Sequence, residues 1–120
     1  MHTAAPFTVT RDDGVTIVRF TEQADAATFE LAIRASVEFE AGPELWDVRA
    51  VVVSMSAADI KNLAFIAKKK KRRPRKVAVL VGDTLSFGML RMYSVYREQS
   101  NVDLQVFRDE AQALNWLCAA

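Results

Sequence analysis

Few residues in this chain have the types and spacing that chemistry needs. The one histidine, His2, is the second residue, and the one cysteine, Cys118, lies two residues from the other end with no basic neighbour near it. Most histidine-dependent catalysis is therefore removed, and any zinc motif that needs paired histidines is excluded. No serine is followed three residues later by lysine, so a Ser-Lys nucleophile has no support either. Gly14, Gly42, Gly82 and Gly88 are too scattered for a phosphate-binding fingerprint. Gly82-Asp83-Thr84 could offer backbone N–H groups to an anion at a helix start, but it reads better as a turn whose threonine caps the helix. Asp12 and Asp13 form an adjacent carboxylate pair, but beside Gly14 they read as turn residues. The expectation is a protein with no catalytic residue, no metal site and no cofactor, and not an enzyme.

Charge offers a different candidate. Lys68, Lys69, Lys70, Lys71, Arg72, Arg73, Arg75 and Lys76 put eight bases into nine positions, interrupted only by Pro74. The whole chain carries +1, so the other eight bases stand against fifteen acids and leave −7 outside the run. Such a cluster is a candidate contact for an anionic partner, nucleic acid or membrane surface. No aromatic residue within the run could stack on bases, and no nucleic-acid motif surrounds it, which argues against nucleic acid. A simpler reading is a helix end. Continued past Ala67, the helix would turn Lys71 onto its apolar stripe and bury an ammonium group, so it must leave the body or stop there. Pro74 then biases Arg73 away from helical angles, and the first lysines complement the negative end of the helix dipole.

The elements that would position these residues follow from periodicity. "FTVTRDDGVTIVRF" alternates on both sides of Asp12, Asp13 and Gly14 and predicts a β-hairpin. From about Asp25, Phe29, Ala32, Ile33, Ser36 and Val37 share one side of a helix that Gly42-Pro43 ends. "LWDVR" predicts a short strand. Ser56 followed by Asp59 predicts a helix start, with Ile60, Leu63, Ala64 and Ala67 as its buried stripe. "KVAVLV", apolar on both alternating faces, predicts a strand covered on both sides. Thr84 opens a third helix, "VDLQVF" a strand, and Asp109 with Gln112 a last helix carrying Ala113, Leu114, Trp116 and Leu117.

The order β-β-α-β-α-β-α-β-α predicts one α/β domain over residues 1–120, a mixed five-stranded sheet with about four helices. No apolar run approaches the ~20 residues of a membrane span. The start lacks the features of an export signal and the lone cysteine permits no internal disulfide, so a cytoplasmic location is expected.

On a helical wheel the third helix gathers Leu85, Met89, Met92, Tyr93, Val95 and Tyr96 on one broad side, which is expected to be core. Phe87 and Leu90 then project outward with Ser86, Arg91, Ser94 and Arg97. Phe65, off the stripe of the preceding helix, could join them. Phe65, Phe87, Leu90 and Arg91 are thus a candidate patch for a second subunit, for another protein or for a small apolar molecule.

"LWDVRA", "SFGMLRMY" and "VFRDEAQALNWL" resemble the SpoIIAA-like family of small bacterial STAS/SEC14-type domains, and the order of elements extends the resemblance over nearly the whole chain. The resemblance implies a STAS-like sheet surrounded by helices, homodimers, and a regulatory or interaction role without an assigned activity. Its SEC14 side implies an apolar-ligand cavity. Anti-sigma-factor antagonists of this fold carry an Asp-Ser-Ser-Gly-like phosphorylation motif where the second helix begins. The matching place here is Met55-Ser56-Ala57-Ala58, with Ala57 where the phosphorylated serine would fall. Ser56 could accept phosphate, and a helix cap is its simpler role.

Overall fold

The computed structural model describes residues 6–22, 24–36, 42–68, 75–97 and 102–119, with backbone alone at Lys68, Arg75 and Val102. β1 (Phe7–Asp12) and β2 (Val15–Phe20) form the expected hairpin, paired from Phe7↔Phe20 to Asp12↔Val15. Asp13 and Gly14 turn it with φ of 50° and 79°. Two successive residues in the left-handed region make the hairpin turn whose twist suits the strands, and Asp-Gly is the pair that adopts it readily. The two-residue β3 (Ala24–Asp25) leads into α1 (Ala26–Ser36), and β4 (Glu44–Asp47) follows. Next come β5 (Val53–Ser54), α2 (Ala57–Lys68), β6 (Arg75–Leu80), α3 (Thr84–Arg97), β7 (Val102–Phe107) and α4 (Glu110–Cys118).

Five strands join in the order β1-β2-β4-β6-β7, antiparallel only between β1 and β2. This is the α/β fold with a mixed five-stranded sheet and four helices that the alternation predicts. β3 and β5 were not expected; they pair in parallel as a separate two-stranded ribbon, too short for any alternation to announce. The ends predicted for the first helix at Val37 and beyond lie outside the described residues.

Each helix starts on a side chain that accepts from the backbone N–H three residues on, satisfying a donor that has no partner within the helix. Asp25 does so for Thr28, Ser56 for Asp59, Asp83 for Ser86 and Asp109 for Gln112, at 2.9–3.2 Å. Asp83, rather than the expected Thr84, is therefore the cap of α3. Side-chain hydrogen bonds from Thr28 and Ser86, with the backbone amides of the same residues, hold the Asp25 and Asp83 carboxyls below the ordinary carboxylate range.

The sheet register sorts the core into two. Val18, Trp46, Val77 and Val79 face a layer of α1, α2 and α3, whereas Ile17, Leu45, Ala78 and Leu80 face α4 through Ala113 and Leu117. Val77, Ala78, Val79 and Leu80 are all buried, as expected for β6. Phe29 stacks on Trp46 with planes 3° apart and touches Phe20, whose ring centroid lies 4.6 Å away.

The face of α3 is turned by about 100° from the one expected, which keeps Met89 and Tyr93 against the core but replaces the other four. Leu90 is 2% exposed, and Ser86 and Arg97 are also buried, while Leu85, Met92, Val95 and Tyr96 point outward. The inward stripe is Ser86, Leu90, Tyr93 and Arg97, spaced four, three and four apart. Ser86 is small enough to bring the helix close to β5, and its Oγ accepts the Val53 N–H at 3.0 Å. That buried bond sets the phase of the helix more firmly than the apolar count does.

Candidate functional site

Between the sheet and its three-helix layer lies a cavity of about 40 Å³, measured as space open to the centre of a water molecule. That is roughly three times the ~10–15 Å³ that one water needs. Phe29, Trp46, Met55, Leu63, Val79 and Leu90 supply apolar wall. The other end is polar: Ser36, Glu44, Tyr93 and Arg97 line it, together with the apolar Ala67 and Val77.

Ser36 closes α1, Ala67 lies in the last turn of α2 and Arg97 ends α3, while Glu44 opens β4 and pairs with Val77 near the start of β6. The polar end thus sits where three helix C-termini meet the starts of the parallel strands. Glu44 is 2% and Arg97 5% exposed. Glu44 Oε1 accepts the indole N–H of Trp46 at 2.9 Å. Arg97 Nη1 donates to the Tyr93 hydroxyl at 3.0 Å, and its guanidinium lies 5.8 Å from that ring centre. A guanidinium at a helix C-terminus is favoured by the helix dipole. Two buried side chains of opposite charge thus share the polar end of the cavity with Ser36 and Tyr93.

Sequence reasoning missed this site for identifiable reasons. The pattern "LWDVR" starts the strand at Leu45 and so omits Glu44, although the two-residue period places it on the same face as Trp46. Arg97 was assigned outward with the wrong phase of α3.

The residues singled out from the sequence lie elsewhere or in other roles. Ser56 is exposed and forms a reciprocal cap with Asp59: Ser56 Oγ accepts the Asp59 N–H, and Asp59 Oδ2 accepts the Ser56 N–H, both at 3.1 Å. Phe65 is on the outer surface of α2, 56% exposed. Phe87 is half-buried against the core, with the Arg108 guanidinium 4.9 Å from its ring centre. Arg91 is exposed on α3. Leu90 corrects the expected patch, because it lines the cavity from within and cannot share a surface with Phe65.

Of the basic run, α2 ends at Lys68, close to where the buried stripe predicts its end. Lys69, Lys70, Lys71, Arg72 and Arg73 lie outside the described residues, and Arg75 begins β6. The Lys76 ammonium donates to the carbonyls of Trp116 and Ala119 at 2.8 and 3.1 Å and lies 5.0 Å from the Trp116 ring centre. It closes the C-terminal end of α4. Among the described residues no group of three metal-ligating side chains occurs, and no helix is long and apolar enough to cross a membrane.

This architecture is the SpoIIAA-like fold. A crystal structure of an anti-sigma factor antagonist from Mycobacterium paratuberculosis matches with a TM-score of 0.69 at 19% identity, over 94% of this chain and 93% of that one. An uncharacterized protein of the DUF3478 family with a SpoIIAA-like fold, from Shewanella loihica PV-4, matches with a TM-score of 0.57 at 17% identity, over 93% and 92%. At such identities the likeness is one of fold. No protein-family model and no curated protein matches the chain.

Proposed function

We propose that this protein is a non-catalytic regulatory module that works by protein contact, as a homodimer, through the outer face of its helical layer. The observation that carries this reading is the outward strip of α3. Leu85 (55% exposed), Met92, Val95 (57%) and Tyr96 fall within about 100° of one another on the wheel. Gly88 lies in the same strip, with open space where a Cβ would stand. In an exposed helix interior alanine would be better by about 0.5–1 kcal/mol; glycine instead leaves room for a partner's close approach. Phe65 on the neighbouring α2 extends the apolar surface, and large grouped apolar side chains are what interaction faces present. One protein of the same fold is an anti-sigma factor antagonist, which supports the reading.

Light scattering tests it. Wild type is expected at twice the 13.4 kDa chain mass and Met92→Asp/Val95→Asp at the chain mass, with unchanged circular dichroism. A wild type that stays monomeric at high micromolar concentration removes the homodimer. Leu90 is unsuitable for this purpose, because truncating a buried leucine costs about 2–5 kcal/mol and placing a carboxylate there would unfold the domain. A second reading, binding of a small apolar molecule, is favoured by the cavity beneath the same helices.

A further inference from the structure

We infer that two copies of the chain pair through α3 in antiparallel fashion, about a two-fold axis at the level of Leu90, with each Met92 seated over the partner's Gly88. The inference rests on the homodimer reading and adds its geometry. Leu85, Gly88, Met92 and Val95 are three, four and three residues apart, and all four are exposed. That is the alternation of a coiled-coil seam, and the four lie within about 80° of one another on the wheel.

The seam reads the same from both ends: Gly88 and Met92 are equally far from Leu90, and so are Leu85 and Val95. Turned antiparallel, two such seams bring Leu85 against the partner's Val95 and Gly88 against the partner's Met92, and each pairing occurs twice. The smallest residue of the seam then meets its longest side chain. Parallel helices would instead set Met92 on Met92 and Gly88 on Gly88, crowding one layer and leaving the other hollow. Nothing stands within 4 Å of where a Gly88 Cβ would be, so the recess is open to methionine, whose unbranched side chain fills irregular gaps.

The surface suffices for such a pair. Phe87 turns to the β7 side of α3, where the Arg108 guanidinium lies over its ring, so the seam leans the other way, toward α2 and the exposed Phe65. The exposed parts of Leu85, Met92, Val95, Tyr96 and Phe65 come to on the order of 500 Å² per copy, at the lower bound of a specific interface for two copies. A weak, micromolar dimer is the consequence. Arg91, the one exposed charge of α3, flanks the seam and would face its equal in the partner. Between exposed side chains that like-charge contact weakens pairing by only about twofold.

Cross-linking reads the geometry. In a Cys118→Ser background, which removes the exposed native thiol, Leu85→Cys and Val95→Cys are oxidised with copper phenanthroline, each alone and mixed. Equivalent positions of the antiparallel pair lie ~15 Å apart along the axis, beyond the ~4–7 Å between Cα atoms that a disulfide spans. The mixture should therefore cross-link at least about tenfold faster than either variant alone. Gly88→Leu, whose Cβ meets nothing in its own chain, should weaken the dimer by about tenfold or more in light scattering, and adding Met92→Ala to it should recover most of the loss.

Leu85→Cys that cross-links with itself as fast as the mixture would mean parallel helices. Gly88→Leu that associates as tightly as wild type would remove Met92 from its seat. Either result overturns the inference and leaves the homodimer standing, as would a dimer by light scattering that no variant or mixture cross-links. A wild type that is monomeric at high micromolar concentration takes both away and leaves the strip to a different partner.

Discussion

Asp47, at the end of β4, is held by three charge-assisted hydrogen bonds to arginine side chains and one to a backbone amide. Arg19 reaches it at 2.6 Å; Arg49 donates through its backbone amide, Nε and Nη2 at 2.9–3.0 Å, and the same guanidinium also reaches Glu110 of α4 at 2.6 Å. Burial pushes the Asp47 carboxyl up, but the Arg49 hydrogen bonds and the charges of Arg49 and Arg19 outweigh it and hold the group below the ordinary carboxylate range. A depressed folded pKa gives stability that is present above the unfolded value near 3.9 and is lost as pH falls through the folded value. Both arginines are about two-fifths exposed, which screens the attraction. Asp47→Asn should therefore cost on the order of 1–2 kcal/mol at neutral pH. The gap should close in acid, where wild type carries a neutral carboxyl as well. Urea midpoints at pH 7 and below pH 3 measure it; a gap that stays constant with pH would mean that the loss is one of shape and not of charge.

At the scale of the element, Ser56 shows what a single capping side chain contributes. Its hydroxyl closes the first turn of α2, and Asp59 returns the bond, so Ser56→Ala should destabilise the domain by about 1 kcal/mol. Ser56→Asp keeps an acceptor at the cap and should lie much closer to wild type, although it sets a second carboxylate beside Asp59. Thermal melts of the two variants separate a capping role from a mere surface position, for which both would be neutral. This cap was legible in the sequence because capping is local: Ser and Asp three residues apart suffice. The Asp13-Gly14 turn and the two-sided apolar run of β6 were legible for the same reason. The phase of α3 was not. Its inward stripe of Ser86, Leu90, Tyr93 and Arg97 contains two side chains that hydropathy places outside, and what turns them inward is tertiary, a bond to Val53 and a cavity shared with Glu44. The strip of apolar residues that hydropathy assigned to the core is the surface on which the proposed partner would dock. A helix that buries Ser86 and Arg97 and exposes four large apolar side chains misleads a wheel in just the way that a functional face does.

Across the molecule, two cores share one sheet. Phe29, Trp46 and Leu63 fill the side under α1, α2 and α3; Leu45, Leu80, Ala113 and Leu117 fill the side under α4. A single helix on one face could melt away before the rest. Three features oppose that here. β2, β4 and β6 each alternate residues into both cores, so neither can loosen without exposing the other's strands. Lys76 of β6 holds the last carbonyls of α4, and Arg49 ties the loop after β4 to Glu110 in its first turn. Both ends of α4 are thus fastened to the central strands, and the domain should unfold as one unit. The two tryptophans make this measurable, since Trp46 reports the helix-layer core and Trp116 the α4 core. In each single-tryptophan variant, Trp46→Phe and Trp116→Phe, the fluorescence midpoint in urea should coincide with the circular-dichroism midpoint of the same protein. Fluorescence in Trp46→Phe that changes at lower urea than its circular dichroism would mean that α4 departs first, and that the ties at its two ends contribute less than the strands they join.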